Sequence, residues 1–434
     1  MRPLRALALV APLALVALSP AVARAEPGDE LTVSVLTFGP GDHPFFKFGH
    51  NAILVHDERR RVDRVYNYGT FAFESWTLIP NFLKGKLKYW LSEQSLRGTL
   101  ALYRRENRTV DEQVLDLTPE QRLEIAGALA KQEADPVARY YKYDYYEDNC
   151  STRVRDAVDA VTRGRLRAAS TGPASMTWRD HTRRLTADDT LVGFGLDLAM
   201  GDFIDKKTTV WEEMFLPAKL EETLRKATIV RPDGTSAPLV KLERRLQTAP
   251  GRADPLSAPP SRTLPMLAIG AAAGGLLAGL GKGARASRGA RALLGGTSAL
   301  LGLVLGVLGS IFVMFWVATD HRVAYANENL FVCAPLALWL VGLGVKVARG
   351  RPGSDERFAK VTAALAAVAV VGVLVKALPF CDQSNARALA LLVPVWLGMA
   401  AGAALLLGRS PLAPPKPVDG SAEAAKVPAP NQGA

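Results

Sequence analysis

Apolar residues are spread unevenly along the chain, and the break in their pattern divides it. Beyond residue 263 come five apolar segments of bilayer-spanning length, roughly 264–281, 293–318, 330–348, 359–379 and 388–408. The loop after the first holds Lys282, Arg285, Arg288 and Arg291 and no acid, and the loop after the third holds Lys346, Arg349, Arg351, Arg357 and Lys360. The two intervening loops, TDHRVAYANEN and FCDQSNAR, carry one arginine each. Basic loops stay in the cytoplasm, so the two polar loops are predicted on the outer face.

Before the break the pattern is that of a globular domain, residues 26–247, with strands early and helices late. LTVSVLTFG (Leu31–Gly39), NAILVHD (Asn51–Asp57) and RVYNYGTFAF (Arg64–Phe73) are β-rich runs separated by PGDHP and the charged DERRRVD. LTPEQRLEIAGALAKQE predicts a helix with Thr118 as cap, Pro119 at its first position and Gln121 completing a capping box. TAPGRADPLSAPPSR makes residues 248–263 a Pro-rich linker before a membrane domain over 264–408. The stretch Gly201–Leu224 is amphipathic, and two placements fit it: on lipid headgroups through Trp211, Met214, Phe215 and Leu216, or packed against its own domain.

The N-terminus settles the compartment. Arg2 and Arg5 precede ALALVAPLALVAL, and AVARA supplies small residues before a cut after Ala25. Residues 1–25 therefore read as a secretory signal peptide, with a retained anchor helix as the alternative. Either way the domain that follows is exported, and the Ala/Pro-rich tail 409–434 is predicted disordered and cytoplasmic. The net charge of +11 would otherwise suggest nucleic acid. Export and the basic loops account for it as topology, and no nucleic-acid partner is expected.

Three cysteines occur in the 434 residues, and Cys150 is alone in the exported domain. It stands in YYKYDYYEDNCSTRVRD, where Asp148 or Asn149 can cap a helix whose Val154, Ala157, Val158 and Val161 form a core-facing stripe. A thiol in the first turn of a helix is favoured as thiolate. The competing reading is a buried, inert cysteine. A nucleophile needs a base and an orienter for it. Of His43, His50, His56 and His181, His50 is chosen because a strand would hold it rigidly; His43 and His181 read as surface residues and His56 as solvent-facing. Tyr66 and Asn67 are the polar candidates for the orienter on the next strand, and Asn67 is taken. Cys333 and Cys381 fall near the outer membrane face, where they are either bridged or two independent apolar thiols. No metal spacing, phosphate loop or nucleotide motif is present, and no cofactor is expected.

The order FGH–AI, YNYGTF, Gly85–Leu87–Tyr89, YDYYEDNCSTRVRD and Trp211–Pro217 resembles the periplasmic domain of the Lnb family, bacterial lipoprotein N-acyltransferases. The resemblance implies an α+β fold of permuted papain-like or NlpC-like type, followed by an all-α membrane domain of five spans in the bacterial inner membrane. It implies Cys150 and His50 as catalytic residues, to which the strand pattern adds Asn67 as orienter. It also implies a two-step transfer from a membrane phospholipid, through a Cys150 thioester, to the N-terminal amine of diacylglyceryl lipoproteins. An oxyanion donor is expected at the Cys150 backbone N–H, with Tyr143, Tyr145 or Tyr146 as helper. Tyr146, Asn149, His321, Asn327 and Asn329 are the expected substrate-binding set. The rival readings are a cell-wall peptidase or amidase with the same chemistry, and a non-catalytic membrane scaffold.

Overall fold

The computed structural model describes residues 26–71, 81, 84–86, 88–231 and 234–408. The signal segment, the end of the YNYGTFAF run from Ala72, Leu87 and the tail 409–434 lie outside the described residues.

The β-rich runs pair with one another because each leaves backbone donors and acceptors that only a neighbouring strand satisfies. In chain order the strands are β1 (Leu31–Phe38), β2 (His50–Asp57), β3 (Val62–Thr70), β4 (Lys88–Ser95), β5 (Val110–Leu115), β6 (Tyr140–Lys142), β7 (Thr228–Val230), β8 (Ser236–Pro238) and β9 (Val240–Gln247). Seven of them form an antiparallel sheet in the order β6-β4-β3-β2-β1-β5-β9, and β7 and β8 make a separate hairpin. β1 lies inside the sheet and is buried on both faces, which explains its nearly continuous apolar run.

The helices of this domain are α1 (Leu96–Arg105), α2 (Pro119–Ala134), α3 (Cys150–Val161), α4 (Arg165–Ala169), α5 (Trp178–Leu185), α6 (Thr190–Ala199), α7 (Val210–Glu213) and α8 (Pro217–Lys226). On one face of the sheet Val33, Val35, Ile53 and Val55 pack in the same cluster as Val154, Val158 and Val161 of α3. On the other, Leu36, Phe38, Ala52 and Leu54 pack with Tyr103 of α1. Full burial of such a side chain contributes roughly 1.5–3 kcal/mol, so the two clusters fix α3 and α1 to the sheet. The expected Thr118–Gln121 capping box opens α2. Residues 214–216 do not reach outward: Met214, Phe215 and Leu216 are all buried in the domain's own clusters. The headgroup placement of Gly201–Leu224 is thereby corrected, since its apolar side chains are spent under α3 and α5.

Among the described residues, five helical segments are long and apolar enough to cross a membrane: Thr263–Gly283, Arg288–Ala318, Glu328–Ala348, Ser354–Ala377 and Ala386–Leu406. The first and fifth spans approach closely through glycine; a Cβ on Gly274 would fall 2.2 Å from the Pro394 carbonyl oxygen. The third span begins as two 3₁₀ turns and becomes α-helical only at Trp339, with Pro335, which has no N–H to donate, at the break. Cys333 and Cys381 are free thiols, so the bridged alternative is set aside; Cys333 is buried among the spans.

Both polar loops meet the N-terminal domain. The Gly201 N–H donates to the Val323 carbonyl, and Arg183 donates to the Ser384 carbonyl and hydroxyl. The Asn327 and Asn329 amides donate to the Leu198 carbonyl, that of Asn329 also to the Asp197 carbonyl, and Gln383 donates to the Met200 carbonyl. These are the last carbonyls of α6 and its cap, which lack partners within the helix. Phe194 and Leu198 of α6 pack into the membrane cluster itself. Around this joint Asp197 meets Arg179, Arg183 and Arg387, a buried ionic network that fastens the two domains.

Candidate active site

Asn149 builds the turn that presents the thiol. Its Oδ1 accepts the Ser151 and Thr152 backbone N–H groups at 2.8 and 2.9 Å, while the Thr152 hydroxyl accepts the Asn149 N–H at 2.7 Å. Its Nδ2 donates to the Tyr145 and Phe215 carbonyls. The cap thus ties the tyrosine loop, the start of α3 and the 214–215 turn together, and Cys150 is the first residue of the helix. Backbone N–H groups of Asn51, Ser151 and Cys150 itself favour the charged form of the thiol. Asn51 follows His50 in β2, so the thiol lies near the strand that carries the histidine.

His50 is held from the adjoining strand. Its Nε2 lies 2.7 Å from Asn67 Oδ1, and the same oxygen accepts the Gly69 N–H at 2.8 Å. An oxygen already accepting one N–H leaves Nε2 as a second donor, so the proton sits on Nε2 and the lone pair on Nδ1. The ring stacks on Phe38 at 5.7 Å.

Burial decides the protonation of both groups. It pushes the Cys150 thiol up to about 11, against the pull of the backbone N–H groups and of Arg108. It also lowers His50 to about 4, helped by the Arg108 charge and opposed by the Asn67 hydrogen bond. The resting pair is therefore neutral thiol and neutral imidazole, and the expected thiolate is corrected: desolvation outweighs the helix terminus.

The expected substrate-binding set separates. Tyr146 is buried, its hydroxyl paired with Thr182 and its ring stacked on Trp178, and Asn149 is consumed in capping. Asn327 and Asn329 spend their amides on the α6 carbonyls. His321 alone of the set lines a cavity, of about 230 Å³, between Lys142–Asp148 and the loop Asp320–Val323. Among the other histidines, His56 pairs with Asp63 at the surface and His43 caps a turn, as expected. His181 is not on the surface: it is fully buried, with Arg184 donating to Nδ1 and Glu213 accepting from Nε2 at 2.7 Å.

Two residues near the pair escaped the sequence. Asn51 is fully buried, donating to the Thr37 hydroxyl, and its Oδ1 has no hydrogen-bond partner. Arg108 is 2% exposed; its Nε donates to the Gly39 carbonyl, its guanidinium lies over the Phe46 and Tyr103 rings, and its Nη2 has no partner. Arg108 stands in RRENRTV, where nothing marks it apart from its charged neighbours. Asn51 carried one signal, a polar residue opening an otherwise apolar strand.

Residues 20–184 match the Lnb N-terminal periplasmic domain, and residues 286–401 match the Lnb transmembrane domain. No curated protein and no solved structure matches the chain.

Proposed function

The chain belongs to the Lnb family in both its periplasmic and its membrane part, and from that premise we propose that it is a lipoprotein N-acyltransferase of the bacterial inner membrane. The observation that carries this reading is Cys150 at the start of α3, a helix packed on the strand that carries the hydrogen-bonded His50–Asn67 pair, in a domain fastened to membrane spans. A soluble substrate needs no such platform; a lipid ester does.

In the first step His50 Nδ1 takes the thiol proton and the sulfur attacks the ester carbonyl of a phospholipid. An S–C bond forms, the ester C–O bond breaks, and the lysophospholipid alcohol leaves with the proton from His50. In the second step the amine of a diacylglyceryl-cysteine N-terminus attacks the thioester. The amide forms, the S–C bond breaks, and the thiol regains its proton. The backbone N–H groups around Cys150 are the donors available to the developing oxyanion. A neutral pair suits this cycle, because the proton moves only once the carbonyl is in place.

Mass spectrometry tests it twice. Intact chain incubated with phospholipid vesicles is expected to gain one acyl mass at Cys150, removable by hydroxylamine. Lipoprotein N-termini in cells lacking the chain are expected to lose one acyl group. An unmodified Cys150 together with unchanged lipoproteins overturns the proposal.

A further inference from the structure

The cavity of about 230 Å³ has walls from both domains. Lys142 ends β6, Tyr143 to Asp148 belong to the loop that leads to Cys150, and Asp320 to Val323 follow directly on the second span, which closes at Ala318. Its floor therefore lies where a helix leaves the hydrocarbon, the layer of lipid headgroups. Gly85, at φ +68°, closes one side; a Cβ there would meet the Asp320 main chain at 3.0 Å. Tyr143 also lines the cavity and lies within electrostatic reach of Cys150.

Both signs of charge face this space. Lys142 Nζ pairs with Asp320 at 2.9 Å and Arg322 Nη1 with Glu147 at 2.6 Å, and all four side chains are substantially exposed. Both pairs cross from one domain to the other. Exposed ion pairs contribute little by themselves, so each can trade its partner for a ligand charge. The volume equals nearly eight waters at about 30 Å³ each, enough for a phosphate carrying a short amine.

We propose that this cavity binds the zwitterionic headgroup of the acyl-donor phospholipid, with the phosphate between Lys142 and Arg322 and the ammonium at Asp320 and Glu147. A zwitterion replaces each broken pair with a new one. An anionic headgroup would take the two cations and strand their carboxylates, with Asp144 adding repulsion. The role as donor site rests on the acyl-transfer reading; the headgroup preference does not.

The test uses the full-length Cys150→Ala chain in nanodiscs of equal phosphatidylethanolamine and phosphatidylglycerol, with bound lipid read by native mass spectrometry. Phosphatidylethanolamine is expected in about tenfold excess, the change that one charge-assisted contact produces. Lys142→Gln combined with Arg322→Gln is expected to abolish the excess with thermal unfolding little changed, since exposed ion pairs contribute little to stability. Equal retention, or an excess that survives the double substitution, overturns the proposal. In parallel, the thioester is measured on chain with Cys150 intact. Selective binding without a thioester leaves the cavity and removes the acyl-transfer reading; a thioester formed equally from both lipids, without selective binding, does the reverse. If the double variant slows only transfer from a preformed thioester to an amine, the cavity serves the acceptor and the proposal falls.

Discussion

Gly69 presses on His50: a Cβ at residue 69 would fall 2.4 Å from the imidazole Cε1. The same residue gives its N–H to Asn67 Oδ1, the atom that accepts from His50 Nε2. Gly69→Ala should therefore displace the ring while leaving Cys150 in place. Acyl transfer is expected to fall about 100-fold, the cost of roughly 1 Å of misplacement, with Cys150 alkylation intact. A variant that transfers at the normal rate would remove His50 as base.

The neutral pair has a signature in pH. With the thiol near 11, iodoacetamide alkylation of Cys150 should climb about tenfold per pH unit from neutrality and level off only near pH 11. A plateau already present below pH 6 would mean a thiolate–imidazolium pair instead.

His50 predicts the acid side. Its ordinary value of 6.5 is lowered to about 4, because burial disfavours the imidazolium. The base is thus available throughout the range above about 4, and the acid limb of the rate should fall near there rather than near 6.5. Asn67→Asp places an anion on Nε2, favours the imidazolium and should move that limb upward. An unmoved limb in Asn67→Asp would show that the titrating group is not His50.

The joint between the domains is tested at Gly201, where a Cβ would meet the Tyr325 carbonyl oxygen at 1.9 Å. Gly201→Ala is expected to pry the periplasmic domain off the outer loops. Transfer from vesicle lipid should drop about tenfold or more, since the near-attack geometry depends on that docking. Turnover of a short soluble thioester should stay within about twofold, as for a substitution far from the reacting atoms. Equal loss on both substrates would place the damage inside the domain.

Much of this was legible because it is local. The Asn149 cap, the valine stripe of α3 and the placement of His50 on a strand are patterns of a few residues, and each shows in the spacing of its letters. What stayed hidden depends on residues distant in the chain. His181 looked exposed among arginines because Glu213, its buried partner, is 32 positions away. Asn327 and Asn329 looked like ligand groups because their acceptors are main-chain carbonyls, which a sequence does not distinguish. Arg108 becomes special only when the sheet brings Gly39 to it. The thiol's raised value reflects how deeply α3 is packed, and no motif states depth.

The capping of α6 by Asn327, Asn329 and Gln383 has a mechanical consequence. Main-chain carbonyls cannot swing as side chains do, so the periplasmic domain is clamped at one height above the bilayer. Any lipid that reaches Cys150 must then rise to it, because the domain is not free to dip. Lifting a chain out of hydrocarbon costs about 0.8 kcal/mol for each methylene exposed. On the acyl-transfer reading, a thiol clamped in this way acts as a depth gauge: it favours bonds close to the glycerol backbone, reached with few carbons drawn into water, and disfavours any further down the tail.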